Sequence, residues 1–216
     1  MMFDISKSVG CTERMNYLKR GFLFYMCSSC MLLVQFAIYL VNSNYWESLN
    51  FVGGFYYLMA ALGQAFLFNL IPWVILYIPF TWWRQMQKVG TILFSCAIFL
   101  LNVLAYLNGI VFQLYKFHIN GFVLDLAFGG GGNQVFVFNN TLILHGVLIG
   151  LLILLFTLAV VFIAYRYAWY VTSKQVKIGI YLFLFSCIAP QLTHAYAAAA
   201  NVNSIMEVSA CLPQYY

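Results

Sequence analysis

Residues 141–164 read TLILHGVLIGLLILLFTLAVVFIA, 24 positions without one Asp, Glu, Lys or Arg. At 1.5 Å per residue an α-helix of that length measures about 36 Å, enough to cross a hydrocarbon core about 30 Å thick. Four further stretches share both properties: 21–41, 55–80, 90–114 and 178–200. These apolar runs are continuous rather than alternating, which points to membrane helices and away from a β-barrel. The whole chain agrees, because 64% of its 216 residues are hydrophobic and only 7% are charged. Packed in water, such a chain would expose apolar patches beyond what soluble monomers tolerate. A soluble enzyme and a disordered chain are both excluded. The expected fold is an all-α integral membrane protein, a bundle of five transmembrane helices.

Charge sits in the gaps between these stretches. Lys7, Arg14, Lys19 and Arg20 precede the first, Arg84 and Lys88 lie between the second and third, and Arg166, Lys174 and Lys177 between the fourth and fifth. Nine of ten basic residues thus fall on one side and only Lys116 on the other. The positive-inside rule places the N-terminus in the cytoplasm, and an odd number of spans places the C-terminus outside. Tyr45 and Trp46 on one side, and Trp82, Trp83, Tyr165, Tyr167, Trp169 and Tyr170 on the other, fall where aromatic belts belong. The net charge of +5 becomes a property of the cytoplasmic face, suited to anionic headgroups rather than to nucleic acid. The first apolar stretch is too long for a signal peptide, and no small-residue cleavage site follows it.

One connection is more than a link. In residues 115–140 the apolar positions Ile119, Phe122, Val123 and Leu126 recur at helical spacing, so a short amphipathic helix is expected on the outer leaflet. The Gly129–Gly132 run ends it, and residues 134–138 return to the membrane. Asn139-Asn140-Thr141 matches a glycosylation sequon, a pattern common by chance. After the fifth span, residues 201–216 close on Leu212-Pro213-Gln214-Tyr215-Tyr216 and read as the start of a linker to a further domain.

Chemistry is thin. Cys27 and Cys30 have CxxC spacing but sit inside a span, where thiolates are disfavoured, and read as packing residues. His118 and Asp125, seven apart, admit a metal or catalytic pair and, preferred here, a hydrogen-bonded anchor for the outer segment. Gln191, His194 and Asn201 could line a polar seam at the end of span five. Gln35, Gln64, Asn69, Asn102, Asn108 and Gln113 read as interhelical hydrogen-bonding groups. Gly146 and Gly150 form a small-xxx-small motif, read first as packing within the monomer and second as a homodimer contact. Pro72, Pro79 and Pro190 are expected to kink spans two and five. No nucleophile–base pair, phosphate loop, carboxylate dyad or zinc signature is present. Spans without charge also argue against an ion-coupled transporter. No cofactor and no enzymatic activity are expected of this chain.

The order of features resembles the N-terminal membrane domain of the YejM (PbgA) family of Gram-negative inner-membrane proteins. The stretch Tyr115-Lys116-Phe117-His118-Ile119-Asn120-Gly121-Phe122-Val123-Leu124 carries the first likeness. Thr193-His194, Asn203, Leu212-Pro213 and Tyr216 carry the second. The five-span plan alone is shared with lipoteichoic-acid synthases and phosphoethanolamine transferases. The resemblance implies a non-catalytic sensor of lipopolysaccharide or anionic phospholipid that maintains the outer membrane. It implies a LapB-type adaptor as partner, through which FtsH-dependent control of lipid A synthesis is exerted, and a sulfatase-like periplasmic domain beyond this chain. On this reading Lys116, His118, Asn120, His194 and Asn203 form the lipid site, while Arg84, Lys88, Arg166, Lys174 and Lys177 face the partner. The family meets lipid A phosphates with basic residues near the Leu-Pro-x-x-Tyr stretch, whereas residues 201–216 here hold only Glu207 as a charged group. Either that cluster lies beyond Tyr216, or Lys116 and backbone amides take its place. The alternative is a bundle that merely anchors a periplasmic phosphatase or lipid-headgroup transferase.

Overall fold

A computed structural model describes residues 2–41, 43, 45, 49–128 and 140–213; side chains of 2–11, 122, 126–128 and 140–143 lie outside the description. Among the described residues all regular structure is helical, with α1 (Met2–Val41), α2 (Phe51–Leu76), α3 (Gln87–Tyr115), α4 (Gly121–Phe128), α5 (Asn140–Tyr167), α6 (Ser173–Ala200) and α7 (Asn203–Ser209). Five of these, α1, α2, α3, α5 and α6, are long and apolar enough to cross a membrane, which marks a multi-pass membrane protein. The expected Trp46, Gly129–Gly132 and sequon features lie at least partly outside the described residues, as do Gln214–Tyr216.

Helix ends follow cap chemistry rather than the fall of hydropathy. Asn50 caps α2 by accepting a hydrogen bond from Gly53 N at 2.7 Å, so the helix starts at Phe51, not 55. Thr172 caps α6 through a reciprocal capping box with Gln175, moving its start from 178 to Ser173. At the other end of α2 the expectation fails at Pro79. That proline lies outside the helix, in the first turn of a separate 3-10 segment (Ile78–Thr81), where its missing N–H costs nothing. Pro72 and Pro190 do lie inside α2 and α6. At 40 residues, α1 is about 60 Å long and overshoots a bilayer core. Its projecting turn is fixed by Tyr17 and Tyr77, whose rings stack at 4.2 Å while each hydroxyl donates to the other's carbonyl (3.2 and 2.9 Å).

The bundle centres on α1, which packs against α2, α3 and α5, while α6 is held chiefly by α2 and α7. Contact between α2 and α6 is closest at Gly63, where any side chain would meet the Ser186 carbonyl. Pro190 makes this fit intelligible: it has no N–H to offer the Ser186 carbonyl four residues back. Cys187 Sγ reaches the Gly63 carbonyl at 3.8 Å. Polar groups inside the bundle pair between helices as expected at Gln35 and Asn102 (2.7 Å) and at Asn69 and Ser29 (3.2 Å). Gln64 departs from that pattern: it is buried, and neither atom of its amide finds a partner among the described residues.

Candidate functional site

Up–down helix order gathers the end of α1, the start of α2, the ends of α3 and α6, and all of α4 and α7 at one end of the bundle, called here the α7 end. The nine cations belong to the opposite, basic end: four along the first half of α1, and the rest at or beside the ends of α3, α5 and α6.

At the α7 end the organising residue is His118. Lys116 terminates α3 with φ 60°, a left-handed cap whose N–H bonds to the Phe112 carbonyl at 2.9 Å. This reversal turns the chain under α3 and drops His118 into the interior, 3% exposed and stacked on Phe112 at 4.5 Å. Asn108 Oδ1 accepts from Ile119 N at 2.7 Å, which fixes the orientation of its amide. Asn108 Nδ2 therefore donates to His118 Nδ1 (2.9 Å), and His118 Nε2–H donates to the Ala210 carbonyl (3.2 Å). Both ring nitrogens are thus used by a neutral imidazole. Burial lowers the His118 pKa from 6.5 to about 4, with the Ala210 bond opposing it.

His118 is consequently not on the outer helix, and its hydrogen bonds among the described residues run to Asn108 and Ala210 rather than to the expected Asp125. α4 begins three residues later, at Gly121, after Asn120 has accepted a hydrogen bond from Val123 N at 3.1 Å. Asp125 is exposed. Anchoring by hydrogen bonds does occur, but the partners are Asn108 and Ala210. The residues expected to begin a linker pack against the bundle through α7: Ile205, Val208, Cys211 and Leu212 are buried with Tyr39, Tyr57 and Phe112. Burial raises the Cys211 thiol pKa, while Ser43 and the nearby Lys116 ammonium pull it down. Lys116, His118 and the Ala210–Cys211 turn therefore form one cluster.

His194 lies elsewhere, between α6 and α2, with its Nδ1 hydrogen-bonded to the Tyr56 hydroxyl at 3.1 Å. Beside this pair an apolar groove separates α2 from α6, lined by Phe51, Phe55, Tyr56, Phe185 and Thr193 among others. Gln191 and Asn201 do not join His194 in a described contact; Asn201 instead caps α6 in a left-handed conformation (φ 52°). Asn203 is exposed at the first turn of α7. Of the five residues expected to share a lipid site, Lys116 and His118 are in one cluster, Asn120 and Asn203 start helices α4 and α7, and His194 borders the groove.

At the basic end Arg84 forms an ion pair with Glu13 at 2.5 Å, a half-exposed contact of little energetic weight. Lys88, Arg166, Lys174 and Lys177 are exposed. Arg20 lies over the Tyr165 ring at 4.7 Å and Arg166 over Tyr167 at 5.9 Å. Cys27 and Cys30 are free within α1. No group of three His, Cys, Asp or Glu side chains able to hold a metal occurs among the described residues. Gly146 and Gly150 go against the first reading of their motif, since a side chain added at either would meet nothing within 4 Å among the described residues. Among the described residues, neither glycine serves packing inside the bundle.

No curated protein matches the chain. Residues 12–216 match DUF3413, a domain of unknown function. That match runs from the first turns of α1 through α7 and the Ala210–Leu212 turn, so it takes in all five long helices and the His118 cluster together. The chain belongs to the DUF3413 family.

Proposed function

We propose that this bundle is a non-catalytic, lipid-responsive regulatory domain of the bacterial inner membrane, acting in outer-membrane homeostasis. In this reading the α7 end faces the periplasm and meets lipopolysaccharide or an anionic phospholipid. The basic end faces the cytoplasm and engages an adaptor of the LapB type. The observation that carries the reading is the α2–α6 groove. It is apolar where an acyl chain would lie, and the His194–Tyr56 pair gives it a polar border. α6 runs from it directly into α7, whose far end His118 grips. A lipid seated there would press on α7 and, through it, on the Ala210 turn that His118 holds. Lys116 supplies the cation at this end.

Co-purification tests the partner. Membranes expressing the 216-residue chain should yield LapB on affinity capture, and lipid extraction of the purified chain should yield lipopolysaccharide, depleted in Phe55→Trp. Capture without LapB, together with unchanged lipid content in the groove variant, would sink the proposal.

A second reading makes the bundle an anchor for a sulfatase-fold phosphatase or headgroup transferase. DUF3413 domains stand at the N-terminus of sulfatase-like membrane proteins, and the firm packing of α7 gives such a domain a rigid mount. Turnover of a lipid headgroup that needs only tethering, and survives exchange of this bundle for an unrelated anchor, would favour it.

A further inference from the structure

A second groove lies at the basic end, between α1 and α6. Phe22 and Met26 of α1 form one side, Ile178 and Gly179 of α6 the other, and Tyr170 and Gln175 lie toward the end of the bundle. The two helices approach here without packing along their length. Gly179 permits the approach, since a Cβ there would lie 2.7 Å from the Phe22 ring. Phe22, Met26, Ile178 and Gly179 all belong to membrane-crossing helices, so the groove opens to the acyl region of the bilayer.

Helix geometry puts a cation at the mouth of each wall. Lys19 lies one turn below Phe22 and Leu23 on α1, and Lys174 one turn below Ile178 on α6, as neighbours three and four apart must. Of the acids whose side chains are described, Glu13 is bound to Arg84, and Asp125 and Glu207 belong to the α7 end. The mouth is therefore cationic, its interior apolar, and the exposed Tyr170 ring lies where lipid headgroups begin.

We infer that this groove holds one anionic phospholipid, with an acyl chain between α1 and α6 and its phosphate between Lys19 and Lys174. Charge complementarity selects the occupant: two ammonium groups flanking an apolar slot match a phosphodiester above a hydrocarbon tail. The site is separate from the one proposed at the α7 end, holds for either orientation in the bilayer, and takes Lys174 out of the partner-facing set.

The test is native mass spectrometry of the purified 216-residue chain titrated with dioleoyl phosphatidylglycerol or dioleoyl phosphatidylcholine. One high-affinity phosphatidylglycerol should bind in preference to phosphatidylcholine. The double variant Lys19→Gln/Lys174→Gln should weaken it by roughly 30-fold, as two cations near an anionic headgroup imply. Lys177→Gln, which removes an equal charge two residues from both Gln175 and Gly179 and so on the far side of α6 from these lining residues, should leave it unchanged. Ile178→Trp, which fills the groove from an exposed position, should also abolish the preference. Equal losses in Lys177→Gln and Lys174→Gln, indifference to headgroup, or full binding in Ile178→Trp would each overturn the assignment. Displacement by soluble glycerophosphoglycerol at the lipid's own concentration would overturn the acyl-chain part.

Discussion

Asn108 and His118 are separated by the end of α3 and a left-handed turn at Lys116, yet they share a 2.9 Å hydrogen bond. Sequence spacing suggested His118 with Asp125 because it assumed one helix across both. The cap at Lys116 and the Asx-type start at Asn120 break that helix, and neither is visible in hydropathy. What was legible was the residue type: a histidine beside a membrane end must find partners. Removing it in His118→Ala leaves Asn108 Nδ2 and the Ala210 carbonyl unpaired and should cost about 2–4 kcal/mol, read as a lower unfolding midpoint in detergent. The same site predicts a pH dependence. The unfolded chain protonates His118 near 6.5 and the folded chain only near 4. Stability is therefore complete above about pH 6.5 and declines as pH falls toward 4, by up to a few kcal/mol. Thermal melts between pH 7 and 4 should show this decline, and His118→Gln should flatten it. Equal slopes in both proteins would remove His118 as its cause.

Elements pack by rules the sequence states only in part. The five spans were legible from uninterrupted apolar length, and their presence matches the structure. Their ends were not, because Asn50 and Thr172 set them by local hydrogen bonds. Packing faces were misread at the glycines. Gly146 and Gly150 carried the recognisable spacing and, among the described residues, face open space, whereas the close approach of α2 and α6 runs through Gly63, which has no such partner in sequence. Its complement is Pro190 on the other helix, a pairing that one-dimensional motifs do not express. Two substitutions separate these roles. Gly63→Leu must displace the α6 backbone and should destabilise by about 3 kcal/mol. Gly146→Leu should change monomer stability by less than about 0.5 kcal/mol. Denaturant titration in mixed micelles measures both, and a Gly146→Leu loss equal to that of Gly63→Leu would contradict the observed packing.

At the scale of the molecule, the arrangement of charge is what turns a bundle into an oriented device. Nine cations at one end and Lys116 at the other make the two ends electrostatically unlike, and the 40-residue α1 carries four of the nine on its own first half. Translocating that end would carry Lys7, Arg14, Lys19 and Arg20 across the bilayer, which the positive-inside bias opposes. The expected result is that alkaline phosphatase fused after Tyr216 is active, as only a periplasmic enzyme is, while a fluorescent protein fused before Met1 is bright. The charges should also be the cause. Replacing Arg14, Lys19 and Arg20 by Gln and adding three lysines beside Lys116 should lower phosphatase activity at the C-terminal fusion several-fold, as a fraction of chains inserts the other way up. The α2–α6 groove can meet lipopolysaccharide only if the α7 end is periplasmic. A C-terminal fusion that is inactive in the unmodified chain would therefore remove the proposed sensing role. It would leave the His118 cluster, the Gly63 contact and the Lys19–Lys174 groove as they stand, since none of them depends on which end faces the cytosol.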